Sequence, residues 1–186
     1  MRLFVALDIP AEVRQAIGEM IARLRDVARG ARWVRAEGVH LTLKFIGEIP
    51  AERVASIEAE LRGANVVAPV EVRFRGAGFF PNERHPRVFW AGVEASPNLA
   101  ELARDVDQRL SHLGIAAETR EFRPHLTLAR FESEDGLPRL REEIKKLEPF
   151  DFGSMRASEF YLFQSELGRG GAKYTKLASF PFGGNA

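Results

Sequence analysis

Cysteine is absent, which excludes disulfides, thiolate nucleophiles and thiolate-bound metals. No stretch approaches the roughly 20 consecutive apolar residues that a membrane helix needs. Neither a lysine-bearing glycine loop of the GxxxxGK[ST] kind nor an HExxH pair occurs, so nucleoside triphosphate hydrolysis and zincin-type chemistry are not indicated. Lysine is scarce: Lys44, Lys145, Lys146, Lys173 and Lys176 stand among 27 basic residues, and arginine supplies the rest. Against 26 acidic residues the net charge is +1, so no global field draws the chain onto nucleic acid or a membrane. Any contact with RNA must be local.

Histidine is also rare, at four residues, and two of the four stand in one repeated phrase: His40-Leu41-Thr42-Leu43 and His125-Leu126-Thr127-Leu128. Side chains on a strand point to opposite faces in turn, so each His and Thr share one face while the leucines bury the other. Two imidazoles and two hydroxyls then line one cleft. His85, in a turn, and His112, at the end of a predicted helix, lie outside the repeat.

The surrounding elements repeat as well. Residues 2–7 read as a buried strand, Asp8-Ile9-Pro10 opens a helix with proline near its first position, and an apolar stripe from Val13 to Val27 carries it to Gly30. The first HLTL strand runs on through Lys44-Phe45-Ile46 to Gly47, a second helix follows Pro50, and a long strand spans Pro69–Phe80 with bends at Gly76 and Gly78. A strand over Arg87–Val93, a helix from Ser96-Pro97 to Gly114, the second HLTL, a helix over Leu137–Leu147, a long strand over Phe150–Phe163, a glycine-rich turn and a final strand over Tyr174–Phe180 restate the plan. Phe4-Val5-Ala6 matches Phe89-Trp90-Ala91, and His40 matches His125, at an offset of 85; Pro69, Glu71, Ala77 and Phe80 match Pro149, Asp151, Ala157 and Phe160 at an offset of 80.

This pattern predicts an α+β fold, residues 1–186 forming a single bilobal domain by internal duplication. Two pseudo-symmetric lobes of about 90 residues, each marginal alone, would carry an antiparallel sheet with two helices around a central cleft.

Two histidines can divide acid and base work near neutrality, one taking a proton from water while the other gives one to a leaving oxygen. Threonine hydroxyls beside them suit the non-bridging oxygens of a phosphodiester. A metal site would recruit a third ligand, and threonine is a poor one; no metal and no cofactor are expected.

These residues resemble the two-histidine (2H) phosphoesterase superfamily, and within it the RNA 2′,3′-cyclic phosphodiesterases, also called 2′-5′ RNA ligases. The resemblance rests on the paired HLTL phrases together with Arg2-Leu3-Phe4-Val5-Ala6-Leu7-Asp8, Gly78-Phe79-Phe80-Pro81-Asn82, Pro86-Arg87-Val88-Phe89-Trp90-Ala91-Gly92 and Tyr161-Leu162-Phe163-Gln164-Ser165. It implies metal-independent hydrolysis of a 2′,3′-cyclic phosphate RNA end to a 2′-phosphomonoester, with reversible 2′-5′ ligation. His40 would be the general acid and His125 the base, an order that rests on the family alone. Thr42 and Thr127 would hold the phosphate. The family pattern adds Arg130, whose parity opposes that of His125, so that the strand must twist or bulge to deliver it. Lys44 shares parity with His40 and Thr42, and either reaches the groove to hold phosphate or is an exposed strand-end lysine.

Phe79, Phe80 and Trp90 could offer faces to bases, although aromatics in strands are usually core. Arg73, Arg75, Arg84, Arg87, Arg120 and Arg123 could form a basic rim. The expected partner is RNA with a 2′,3′-cyclic phosphate or 2′,5′ linkage, with nucleotides in the cleft a further candidate. A cytoplasmic monomer without membrane contact is expected. The rival readings are a small cyclic-nucleotide phosphodiesterase and a non-catalytic binder of RNA terminal phosphates.

Overall fold

Arg2–Leu7 form β1, every residue after the first buried. In this computed structural model, which describes residues 1–183, Ala11–Leu24 follow as α1. Its stripe Val13, Ile17, Met20, Ile21 and Leu24 is buried, as the 3.6-residue period requires. The helix stops at Leu24, short of Gly30; Val27 lies in the ensuing turn, where its N–H donates to the Leu24 carbonyl (3.0 Å).

The remaining elements are β2 (Ala31–Trp33), a 3-10 turn (Ala36–Gly38), β3 (Leu41–Glu48), a second 3-10 turn (Ala51–Arg53), α2 (Val54–Arg62), β4 (Val70–Phe80), β5 (Val88–Ala95), α3 (Asn98–His112), β6 (His125–Phe131), α4 (Leu137–Leu147), β7 (Asp151–Ala157), β8 (Glu159–Gly168) and β9 (Gly171–Pro181). Two differences from the sequence reading stand out. β2 is a three-residue strand with no periodic signal of its own. The segment read as one strand over Phe150–Phe163 is two, broken at Ser158 and placed in different sheets. No glycine or proline punctuates that break, so local sequence does not mark it.

Two antiparallel sheets result, in the orders β3-β1-β8-β9 and β2-β6-β5-β4-β7. The first three strands of one, β3-β1-β8, correspond to β6-β5-β4 of the other. The expected lobes of contiguous halves are therefore corrected: β4, from the first half, pairs with β5 of the second, and β8, from the second, pairs with β1 of the first. Each half lends a strand to the sheet begun by the other. Helices α2 and α3 pack together, α3 against β3; α1 packs on β7 and α4.

The ladders also correct the offsets. Thr42 lies opposite Ala6 and Thr127 opposite Trp90, so Ala6 answers to Trp90 rather than to Ala91. Likewise Phe163 sits opposite Phe4, and Phe80 opposite Val88; the counterpart of Phe80 is Phe163. Phe160 instead lies in the core, stacked on Phe180 at 4.9 Å. A one-residue slip carries a side chain through the sheet, and the residue matches alone did not resolve it.

One large core joins the helices to the inner faces of both sheets. A second, smaller cluster of Phe4, Ala6 and Phe163, flanked by Tyr161 and Tyr174, lies apart from it. That cluster floors the neighbourhood of His40.

Candidate active site

His40 is the residue just before β3 and His125 is the first residue of β6, two strands from different sheets that lie against each other. Both rings are fixed in one manner. The His40 Nδ1–H donates to the Gly38 carbonyl (3.0 Å), and the His125 Nδ1–H donates to the Arg123 carbonyl (2.8 Å). A carbonyl only accepts, so Nδ1 holds the proton and Nε2 is the nitrogen left for chemistry. Both acceptors lie two residues upstream, so the local turn that ends in each motif sets the tautomer.

Thr42 and Thr127 follow on the same faces, half-buried, while Leu41, Leu43, Leu126 and Leu128 are buried opposite them. Beyond each threonine the ladder slips by one residue: Ala6 pairs Thr42 but Val5 pairs Lys44, and Trp90 pairs Thr127 but Phe89 pairs Ala129. Such a bulge inverts parity downstream. In β6 it buries both Leu128 and Ala129 and turns Arg130 outward, onto the side of His125 and Thr127, where its charge depresses the His125 pKa.

In β3 the same bulge does the reverse to Lys44. The side chain is 6% exposed, its ammonium paired with Asp107 and donating to the Ala116 carbonyl (2.6 Å). Lys44 therefore does not line the groove, and the expectation that it holds phosphate is corrected. The outward place falls to Phe45, 64% exposed and 6.1 Å from Phe4; counting parity without the bulge hid this residue.

The His40 ring packs on Phe163 (4.5 Å), Tyr174 (5.1 Å) and Phe4 (5.6 Å), and His125 meets the edge of Phe80 (5.0 Å). Burial pushes both imidazoles below their ordinary range, against the opposing pull of the Gly38 and Arg123 carbonyls. Around His40 the Arg14 and Lys176 charges act with burial, and the Asp8 carboxylate acts against it. Asp8 itself would be raised by burial, but the hydrogen bond from Lys176 and the charges of Lys176 and Arg14 hold it below the usual carboxylate range.

Arg14 makes three hydrogen bonds. It donates to the carbonyls of Ala36 (2.7 Å) and Val39 (3.1 Å) and to Asp8 Oδ1 (2.7 Å). It thereby pins the turn that presents the Gly38 carbonyl to His40. No short-range pattern ties Arg14 to residues more than 20 positions away, and it escaped the sequence reading.

Of the expected rim, Arg73, Arg75, Arg120 and Arg123 pair with Asp151, Glu94, Glu118 and Glu121; Arg84 and Arg87 show no such pair among the described residues. His85 pairs with Glu134 on the surface (2.6 Å), and His112 closes α3. Trp90 lies flat over Gly78, where an added Cβ would come within 2.4 Å of its ring, so that position is closed to any larger residue without moving the indole. No cluster of three or more His, Asp or Glu side chains suited to a metal occurs among the described residues.

A family model described as LigT-like phosphoesterase matches residues 7–90 and 92–174. The chain is 38% identical over 191 residues to an RNA 2′,3′-cyclic phosphodiesterase of Thermus thermophilus, covering 99% of this chain and 91% of the relative. It is 34% identical over 174 residues to one of Methanocaldococcus jannaschii, covering 94% and 96%. Among solved structures it resembles TT0787 of Thermus thermophilus (TM-score 0.81, 36% identity, complete coverage of both chains at 100%). It also resembles E. coli LigT complexed with 3′-AMP (TM-score 0.77, 29% identity, 98% of each chain).

Proposed function

The chain belongs to the LigT-like phosphoesterase family, and from that premise we propose that it hydrolyses 2′,3′-cyclic phosphate ends of RNA to 2′-phosphomonoesters by acid and base catalysis at His40 and His125, without a metal. The observation that carries the reading is the repeated imidazole geometry: two rings on contacting strands, each with Nδ1–H tied to a carbonyl and Nε2 left for the substrate.

In the proposed step His125 Nε2 takes a proton from water, and the water oxygen bonds to phosphorus. The bond from phosphorus to the ribose O3′ breaks, and His40 Nε2–H protonates that oxygen. The 2′-phosphate and a free 3′-hydroxyl remain. Thr42 and Thr127 donate to the non-bridging oxygens, and Arg130 offers the charge-assisted contact that meets charge building there. With a 5′-hydroxyl in place of water, the same groups would join two ends through a 2′,5′ linkage.

The bilobal chain is read as an internal duplication, supported by two adjoining family-model segments of similar length and by the matching strand orders. We take it to act as a monomer in the cytoplasm; among the described residues no helix is long and apolar enough to cross a membrane.

The test is the end group formed when a short RNA bearing a 2′,3′-cyclic phosphate is incubated with protein and excess EDTA. Conversion to a 2′-phosphate, lost in His40→Ala and His125→Ala, is expected. Retained binding of the RNA end without conversion would overturn catalysis in favour of a terminal-phosphate binder.

A further inference from the structure

The His125 side of the site has its cation in Arg130, but on the His40 side the equivalent place holds Phe45 and Lys44 is buried. A different lysine stands there. A ladder slip at Leu177 sets Phe163 opposite Lys176, and strand alternation puts Tyr174 and Lys176 on one face of β9, the face on which Tyr174 touches His40. The Lys176 ammonium lies 4.1 Å from the centroid of the Tyr161 ring and 2.6 Å from Asp8 Oδ2, with 45% of its side chain exposed.

Two carboxylates stand here, Asp8 and Glu159, and Glu159 accepts from the Tyr161 hydroxyl. Asp8 is one carboxylate shared by two cations, and Arg14 is the inward one, spent on Asp8 and two carbonyls. The trio therefore carries a net positive charge, and Lys176 is the member that presents it to the groove. One of its three N–H donors is used on Asp8.

We propose that Lys176 holds a backbone phosphate of the RNA strand, the phosphodiester on the 5′ side of the reacting end, and so makes the site prefer an RNA chain over a mononucleotide. The assignment rests on the RNA-end reading above. The ammonium rests over Tyr161, and Tyr161, Ala6 and Thr42 stand side by side on β8, β1 and β3, two strand spacings or about 10 Å from Tyr161 to Thr42, so Lys176 serves a different phosphate from the one at Thr42. An RNA ending in a 2′,3′-cyclic phosphate continues only on its 5′ side, which fixes the contacted phosphate as one that a nucleoside cyclic monophosphate lacks.

The experiment compares Lys176→Met and Lys176→Arg with wild type on a short RNA 2′,3′-cyclic phosphate and on a nucleoside 2′,3′-cyclic monophosphate. Lys176→Met raises KM for the RNA by about tenfold, the worth of one charge-assisted contact, and leaves KM for the mononucleotide unchanged. Lys176→Arg retains the wild-type KM on both. An equal rise on both substrates, or none on the RNA, overturns the proposal. If wild type turns over neither substrate, the functional reading fails by itself, and binding of a 3′-phosphorylated RNA across a salt series still decides Lys176. Loss of one contact flattens the slope of log Kd against log salt by about 0.7 in Lys176→Met; equal slopes overturn the proposal.

Discussion

Phe45 and Arg130 occupy the same place in the two halves, each the outward residue just past a bulge that follows the motif threonine. One offers an exposed aromatic face and the other a guanidinium. The two walls of the site are therefore chemically unlike even where the strands match, and a substrate has one sensible orientation across them.

Removing either imidazole should lower kcat by about two to four orders of magnitude. The double variant should be little worse than the singles, since the pair acts as a unit. Single-turnover rates on the cyclic-phosphate RNA check this, with unchanged circular dichroism showing that the fold is kept.

The pH dependence follows from burial. As pH falls, protonation of the base His125 sets the acid limb; as pH rises, loss of the proton from the acid His40 sets the alkaline limb. Both groups titrate below the ordinary 6.5, so kcat/KM of the free enzyme should peak on the acid side of that value. Arg130→Met removes a charge that depresses His125, and its acid limb should move to higher pH. A peak above neutrality would contradict the assignment.

Lys44→Met should cost stability rather than affinity. It leaves the half-buried Asp107 carboxylate with the Glu118 N–H as its remaining partner, a loss of about 3 kcal/mol, the low end for a broken buried pair, while KM for the RNA stays near wild type. Urea denaturation and KM together discriminate; a large rise in KM at preserved stability would return Lys44 to the groove.

Arg14→Met should act through His40. With the turn at Ala36–Gly38 unpinned, the Gly38 carbonyl no longer holds the ring, and kcat should fall by about ten- to a hundredfold, the scale of a misplaced catalytic group, at nearly constant KM. The nitrogen chemical shifts of the His40 imidazole should report mixed tautomers where wild type shows one. A single retained tautomer with full kcat would remove Arg14 from this role.

Much of this site was legible because alternation is a local rule. His40, Thr42, His125 and Thr127 fall on shared faces from spacing alone, and Arg130 was foreseen conditionally, needing the bulge that β6 contains. The same rule failed at Lys44, because the parity of a strand is lost at a bulge and nothing in Leu43-Lys44 announces one. The rim arginines Arg73 and Arg75 pair with Asp151 and Glu94, acids that come from neighbouring strands and that no local pattern links to them. Tyr174, Phe163 and Arg14 reach His40 only through tertiary folding, and no spacing rule links residues so far apart.

The exchange of β4 and β8 between the sheets bears on how this chain can be divided. A cut in the loop between Pro81 and Pro86 would leave a front fragment holding β4 without β5, and a rear fragment holding β8 without β1. Each piece would own a histidine and lack the neighbour that completes its sheet, so neither would be a working half. Mixed together, the fragments would find in each other the strands they miss, and activity would return only as the pair. Proteolysis at that loop is therefore survivable while the pieces stay together and total once they part.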